Sequence, residues 1–141
     1  MPEQQTLPTT KEPSTTFKLI LVVEDDIPFG SVLVQTIKEE TPYQAILATT
    51  GMEALNIVSH LHCDLFLLDY LLPSMNGLEL YDRLHAVPGH EKTPAFFLSA
   101  STRLPYAELE KRNLKSFTKL VELDELLQTI QAFVGEERAE S

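Results

Sequence analysis

Glu24, Asp25 and Asp26 follow directly on the apolar run Leu19 to Val23, and Asp69 follows a second apolar run, Leu65 to Leu68. Two further runs stop in the same way, Pro94 to Leu98 at Ser99 and the short Ser116 to Thr118 at Lys119. If these runs are parallel strands, their carboxyl ends share one edge of a sheet, and several carboxylates converge on a small volume. Their mutual repulsion is relieved by protonation or by a cation, and at neutral pH a cation is the better answer. Oxygen donors from Glu24, Asp25 and Asp69 suit a hard ion, Mg2+ in particular, which takes phosphate oxygens alongside a few carboxylates. Such an ion offsets the charge of a carboxylate nucleophile and of a phosphoryl group moving onto it, which makes Asp69 the nucleophile to expect. Lys119 would add a positive charge, and Ser99 a hydroxyl donor, to the same phosphoryl oxygens.

The elements that must position these residues are legible as alternating periods. Lys18 to Val23 reads as strand one, and Phe29, Val32, Leu33 and Ile37 recur at helical spacing after Pro28. Tyr43 to Thr49 is strand two, and Thr50 is placed to cap a helix carrying Ala54, Leu55 and Val58. Asp64 to Leu68 is strand three, Gly77 to His85 helix three, Pro94 to Leu98 strand four, and Tyr106 to Asn113 a less regular helix four. Ser116 to Thr118 makes a very short strand five, and Leu123 to Val134 a last amphipathic helix through Leu126, Leu127, Ile130 and Phe133. Five strand and helix repeats predict an α/β fold, a parallel sheet with helices on both faces, and a ligand site at the carboxyl ends of the strands.

Composition narrows the class. At 141 residues and 43% hydrophobic content the chain has enough apolar material for one core. A single cysteine, Cys63, cannot form an internal disulfide, and no segment has the layout of a signal peptide or the length of a membrane span, so a cytoplasmic setting is expected. The formal charge of -10 opposes attraction to nucleic acid or to an anionic membrane. Residues 1–16, rich in Thr, Pro, Gln and Glu, are expected to be a disordered tail, residues 17–134 the folded domain, and residues 135–141 a short second tail.

The stretch Val22-Val23-Glu24-Asp25-Asp26, together with Asp64-Leu65-Phe66-Leu67-Leu68-Asp69-Tyr70-Leu71-Leu72-Pro73-Ser74-Met75-Asn76-Gly77, resembles the two signature segments of response-regulator receiver domains. The resemblance extends over nearly all of residues 17–134. It implies a flavodoxin-like, doubly wound sheet of five parallel strands in the order 2-1-3-4-5. It implies Glu24, Asp25, Asp69 and the backbone carbonyl of Leu71 as Mg2+ ligands, Asp69 as phosphoacceptor, Ser99 as the hydroxyl of the switch and Lys119 as the family's lysine. It also implies a sensor histidine kinase or histidine phosphotransfer protein as donor, and assistance to its own phosphotransfer rather than turnover as an enzyme. Three features depart from the pattern. Leu120 follows Lys119 where the family generally carries proline; Ser116 stands where many receivers place an aromatic; and the segment from Ser99 to Lys119 is short for a full helix four.

Competing readings are weighed on the same residues. Acidic residues after a strand often only cap the next helix, and Glu24, Asp25 and Asp26 alone would be read so; Asp69 within Asp-x-x-x-Pro-x-x-x-Gly tips the balance. His60, His62 and Cys63 have no partner pair at a zinc-ligand spacing. An aspartyl phosphohydrolase would need an acid two residues after its nucleophile, where Leu71 stands. With no output domain after Val134, the chain is expected to stand alone and signal through an unidentified downstream protein, by docking or by phosphorelay. The alternative is a receiver-like interaction module that phosphate does not regulate, which Ser116 and Leu120 suggest.

Overall fold

The computed structural model describes residues 18–100, 104–118 and 125–132. Both expected tails and the positions of Lys119, Leu120 and Phe133 lie outside them. The described elements run β1 (Leu19–Val23), α1 (Ile27–Glu40), β2 (Gln44–Ala48), α2 (Gly51–Val58), β3 (Leu65–Asp69), α3 (Gly77–Leu84), β4 (Ala95–Ser99), α4 (Tyr106–Lys111) and β5 (Lys115–Thr118). Residues 125–132 are helical. The five strands form one sheet in the order β2-β1-β3-β4-β5, and every pairing is parallel, as the resemblance implied.

Because the side-chain period of a strand is two, each central strand feeds two cores. On one face Ile20, Val22, Leu65, Leu67, Phe96 and Leu98 pack with Leu33 and Ile37 of α1 and with Leu126, Leu127 and Ile130. On the other, Leu21, Val23, Phe66, Leu68 and Phe97 meet Ala54 and Val58 of α2, Leu80 and Leu84 of α3 and Leu109 of α4. Covering both faces is why β1, β3 and β4 read as unbroken apolar runs rather than alternating ones. Leu67 is fully buried, so Leu67→Ala costs about 2–5 kcal/mol through lost burial and the cavity left behind.

Helix ends follow local chemistry. The Thr50 hydroxyl accepts from the Glu53 backbone N–H at 3.0 Å, and Glu53 Oε1 reaches back to the Thr49 N–H at 2.8 Å, a reciprocal cap that starts α2. α4 has only six residues and no side-chain N-cap, so the short Ser99 to Lys119 segment does give a short helix. It stops because Asn113 takes φ 57°. That left-handed residue lets the Leu114 N–H bond the Leu109 carbonyl at 2.9 Å and the Asn113 N–H bond the Glu110 carbonyl at 3.0 Å. β5 then begins at Lys115, one residue earlier than the apolar run suggests.

Candidate functional site

β1 and β3 are neighbours, with Val23 in register with Leu68, so the residues that follow, Glu24 and Asp69, leave the sheet side by side. The chain turns at once from β1 into α1, and the turn gives the three consecutive acids three different environments. Glu24 is fully buried, and its Oε2 accepts from the Asp26 backbone N–H at 3.0 Å. Asp26 is the N-cap of α1, its Oδ1 accepting from the Phe29 N–H at 3.1 Å. Asp25, between them, is exposed. The capping interpretation of the acidic triplet therefore holds for one residue of the three.

Asp69 closes β3 and is 4% exposed. One carboxylate oxygen from each of Glu24, Asp25 and Asp69 lies within 4.8 Å of the others. Three carboxylates so close, two of them buried, favour a cation among them, and an all-oxygen donor set fits a hard divalent ion such as Mg2+. The Leu71 N–H donates to Asp69 Oδ1 at 3.2 Å, and a bridge between Leu71 and Asn76 fixes the backbone of that loop. Ser99 ends β4, 1% exposed, one residue beyond Leu98, the register partner of Asp69. Thr118 pairs with Ser99, and Lys119 comes next in the chain but is not among the described residues.

Gly77, which the sequence marks only as the start of helix three and the end of the Asp-x-x-x-Pro-x-x-x-Gly stretch, also shapes the site. A Cβ there would lie 2.5 Å from the Phe97 ring, 2.9 Å from the Tyr70 Cα and 3.1 Å from the Asp69 carbonyl oxygen. The start of α3 thus presses against the backbone of Asp69, held by a 2.7 Å bond from the Gly77 N–H to the Tyr70 carbonyl. Two aromatic residues on either side of Ser116 in the chain lie apart: Phe117 is buried edge-on against Phe96, and Tyr106 stands exposed at the start of α4. The residues behind the zinc reading sit at the opposite end of β3. Burial, with help from the Asp64 carboxylate, pushes the Cys63 thiol up to about 11, which keeps it protonated and a poor metal ligand.

A family model described as the response regulator receiver domain matches residues 20–131. The chain belongs to that family. Receivers of this kind are the domains of two-component response regulators that are phosphorylated on an aspartate by histidine kinases or phosphotransfer proteins. This receiver is 28% identical over 117 residues to sporulation initiation phosphotransferase F of Bacillus subtilis, an alignment covering 82% of this chain and 92% of that protein. It is 40% identical over 81 residues to the transcriptional regulatory protein PcoR of Escherichia coli, covering 57% of this chain and 34% of PcoR, so it spans about a third of that regulator's length. Among solved structures, it is similar to the response regulator TrrA of Thermotoga maritima, in complex with Mg2+ and BeF, at TM-score 0.71 and 26% identity over 82% of this chain and 98% of that one. A CheY-like receiver from Methanospirillum hungatei matches at TM-score 0.76 and 24% identity over 89% of this chain and all of the other, a likeness of fold. No described helix is long and apolar enough to cross a membrane.

Proposed function

We propose that this receiver takes a phosphoryl group onto Asp69 from a phosphohistidine donor. The observation that carries the reading is the meeting of Glu24, Asp25 and Asp69 at the carboxyl ends of β1 and β3. A carboxylate oxygen of Asp69 attacks phosphorus, the P–N bond to the donor imidazole breaks, the leaving imidazole takes up a proton, and an acyl phosphate is formed. Glu24, Asp25, Asp69 and the Leu71 carbonyl would hold Mg2+, which when bound would neutralise the charge that builds on the phosphoryl oxygens. The Leu71 N–H orients Asp69 Oδ1, and burial fixes the rotamer of the nucleophile. Ser99 and Lys119 donate to the phosphoryl oxygens in this scheme, and their displacement carries the change to the segments after β4 and β5. The protein assists its own phosphotransfer and is not a turnover enzyme. Its alignment over almost the whole of sporulation initiation phosphotransferase F supports a receiver that works through a separate protein, by docking or by phosphorelay, and in this reading it is cytoplasmic.

A specific observation favours a second reading, a module that phosphate does not regulate: Ser116 of β5 is half-buried where an aromatic switch residue is common in the family, and α4 is only six residues long. Intact-mass spectrometry after incubation with a small phosphoramidate and Mg2+ separates the two. A single phosphoryl adduct, absent from Asp69→Asn and from an EDTA control, supports phosphotransfer to Asp69. An unmodified wild-type protein, under conditions that label another receiver, leaves the unregulated module standing.

A further inference from the structure

His85 has carbonyl oxygens on both sides of its ring. Nδ1 lies 2.7 Å from the Tyr81 carbonyl oxygen, and Nε2 lies 2.5 Å from the Thr93 carbonyl oxygen. Carbonyl oxygens only accept, and a neutral imidazole carries one N–H, so the neutral ring would leave one lone pair facing another. The imidazolium satisfies both. Tyr81 is in the last turn of α3, where the helix dipole favours positive charge, and its carbonyl, which also accepts the His85 backbone N–H at 3.1 Å, has a second lone pair for the ring. Thr93 lies two residues before β4.

We propose that His85 is a proton-operated clamp: protonated, it ties the C-terminal end of α3 to the segment leading into β4; deprotonated, it releases one of the two. The elements it joins are those whose other ends flank the carboxylate site, α3 beginning at Gly77 and β4 ending at Ser99.

The neighbouring histidine is committed to the opposite state. His90 Nε2 accepts from the Cys63 backbone N–H at 3.0 Å, which requires that nitrogen to be deprotonated. Burial, then the neighbouring His62, holds the His90 imidazole below its ordinary value, and His85 adds to the same effect. Groups around His85 pull both ways. It shares a cavity of about 640 Å³ with Glu91 and Lys92 from the segment before β4, Glu110 of α4, and Arg112 and Lys115 beyond it; the phenols of Tyr81 and Tyr106 also line the space. Phe66 of β3 meets its ring edge-on and brings no charge. With acidic and basic groups both present, the two direct hydrogen bonds decide. The cavity gives the ring a path to solvent protons.

The test is nitrogen NMR of the imidazole rings in the labelled wild-type protein, titrated from mildly acidic to alkaline pH while it stays folded. The clamp predicts that both His85 ring nitrogens are N–H donors at the acidic end and that one loses its proton as pH rises. Amide exchange at the end of α3 should then quicken on the order of tenfold, the effect of losing one hydrogen bond to a charged group. Denaturant unfolding of His85→Gln supplies a second readout: the advantage of wild type over the variant should grow as pH falls. A His85 ring that keeps one bare nitrogen throughout the folded range overturns the proposal, and the wild-type spectrum decides this even if the variant does not fold. Parallel pH profiles for wild type and a folded variant overturn it as well.

Discussion

The two ends of the sheet handle buried polar groups in opposite ways. At the carboxyl ends of β1 and β3, Glu24, Asp25 and Asp69 crowd like charges into one small volume. Around the amino ends of β3 and β4, the polar groups close on one another. Asp64 accepts from the Leu19 N–H at 2.8 Å and pairs with Lys18 at 4.0 Å and His62 at 3.3 Å; His90 accepts from Cys63; His85 bridges two carbonyls. Under the proposed function, a cation and a phosphoryl group would join the carboxylates at one end, whereas the groups at the other end pair with oppositely charged or hydrogen-bonding groups. Crowded like charges cost repulsion that a bound cation would offset.

Divalent cation should therefore stabilise through one end only. Thermal or urea unfolding with Mg2+ at about a hundred times its Kd should gain about 2.7 kcal/mol from binding to the folded state alone. Asp25→Asn, which removes an exposed carboxylate of the proposed ligand set, should shrink that gain, whereas His62→Gln should leave it intact. A gain that survives Asp25→Asn would mean that the ion binds elsewhere.

The amino-terminal end should respond to loss of an internal partner instead. Asp64→Ala takes the acceptor from the Leu19 N–H and should cost about 1–3 kcal/mol in denaturant unfolding. Mg2+ affinity, measured by titration, should be unchanged. If affinity falls with stability, the two ends are mechanically coupled rather than separate.

A smaller effect belongs to Asp26, the acid that caps rather than ligates. Asp26→Ala should cost about 1 kcal/mol of stability, while Asp26→Asn, which still accepts from the Phe29 N–H, should keep most of it. A loss of Mg2+ affinity in Asp26→Asn would move this residue into the ligand set.

The smallest effect concerns acid. His90 has a folded-state value below its unfolded one, so the folded protein binds fewer protons there. The associated stability is fully present above the unfolded value and drains away as pH falls through the folded one. A folded His90→Gln variant should show a flatter stability profile on the acid side than wild type.

Most of the carboxylate end could be read from the chain because its residues are anchored to strand ends. An apolar run covered on both faces is recognisable by itself, and the residue that stops it is placed at the sheet edge by the strand's length. That argument places Glu24, Asp69 and Ser99 at the sheet edge from the sequence alone. It did not separate Glu24, Asp25 and Asp26, which are chemically alike and adjacent; only the turn into α1 makes one buried, one exposed and one a cap.

The histidine end was nearly invisible in the sequence. His62, His85 and His90 come from different segments, and no spacing rule links them, because the stacking of His62 on His90 and the contacts of His85 and His90 with Phe66 are set by how the end of α3 packs against the segments leading into β3 and β4. Gly77 shows the same limit: its need for a bare Cα follows from Phe97, twenty positions away, pressing on it across the core. The sequence by itself determined the strands, their two-faced burial and the acidic residues at their ends, since those depend on local period and composition. The tertiary structure alone decided which neighbouring acid faces which partner and which imidazoles meet, since those depend on contacts between segments distant along the chain.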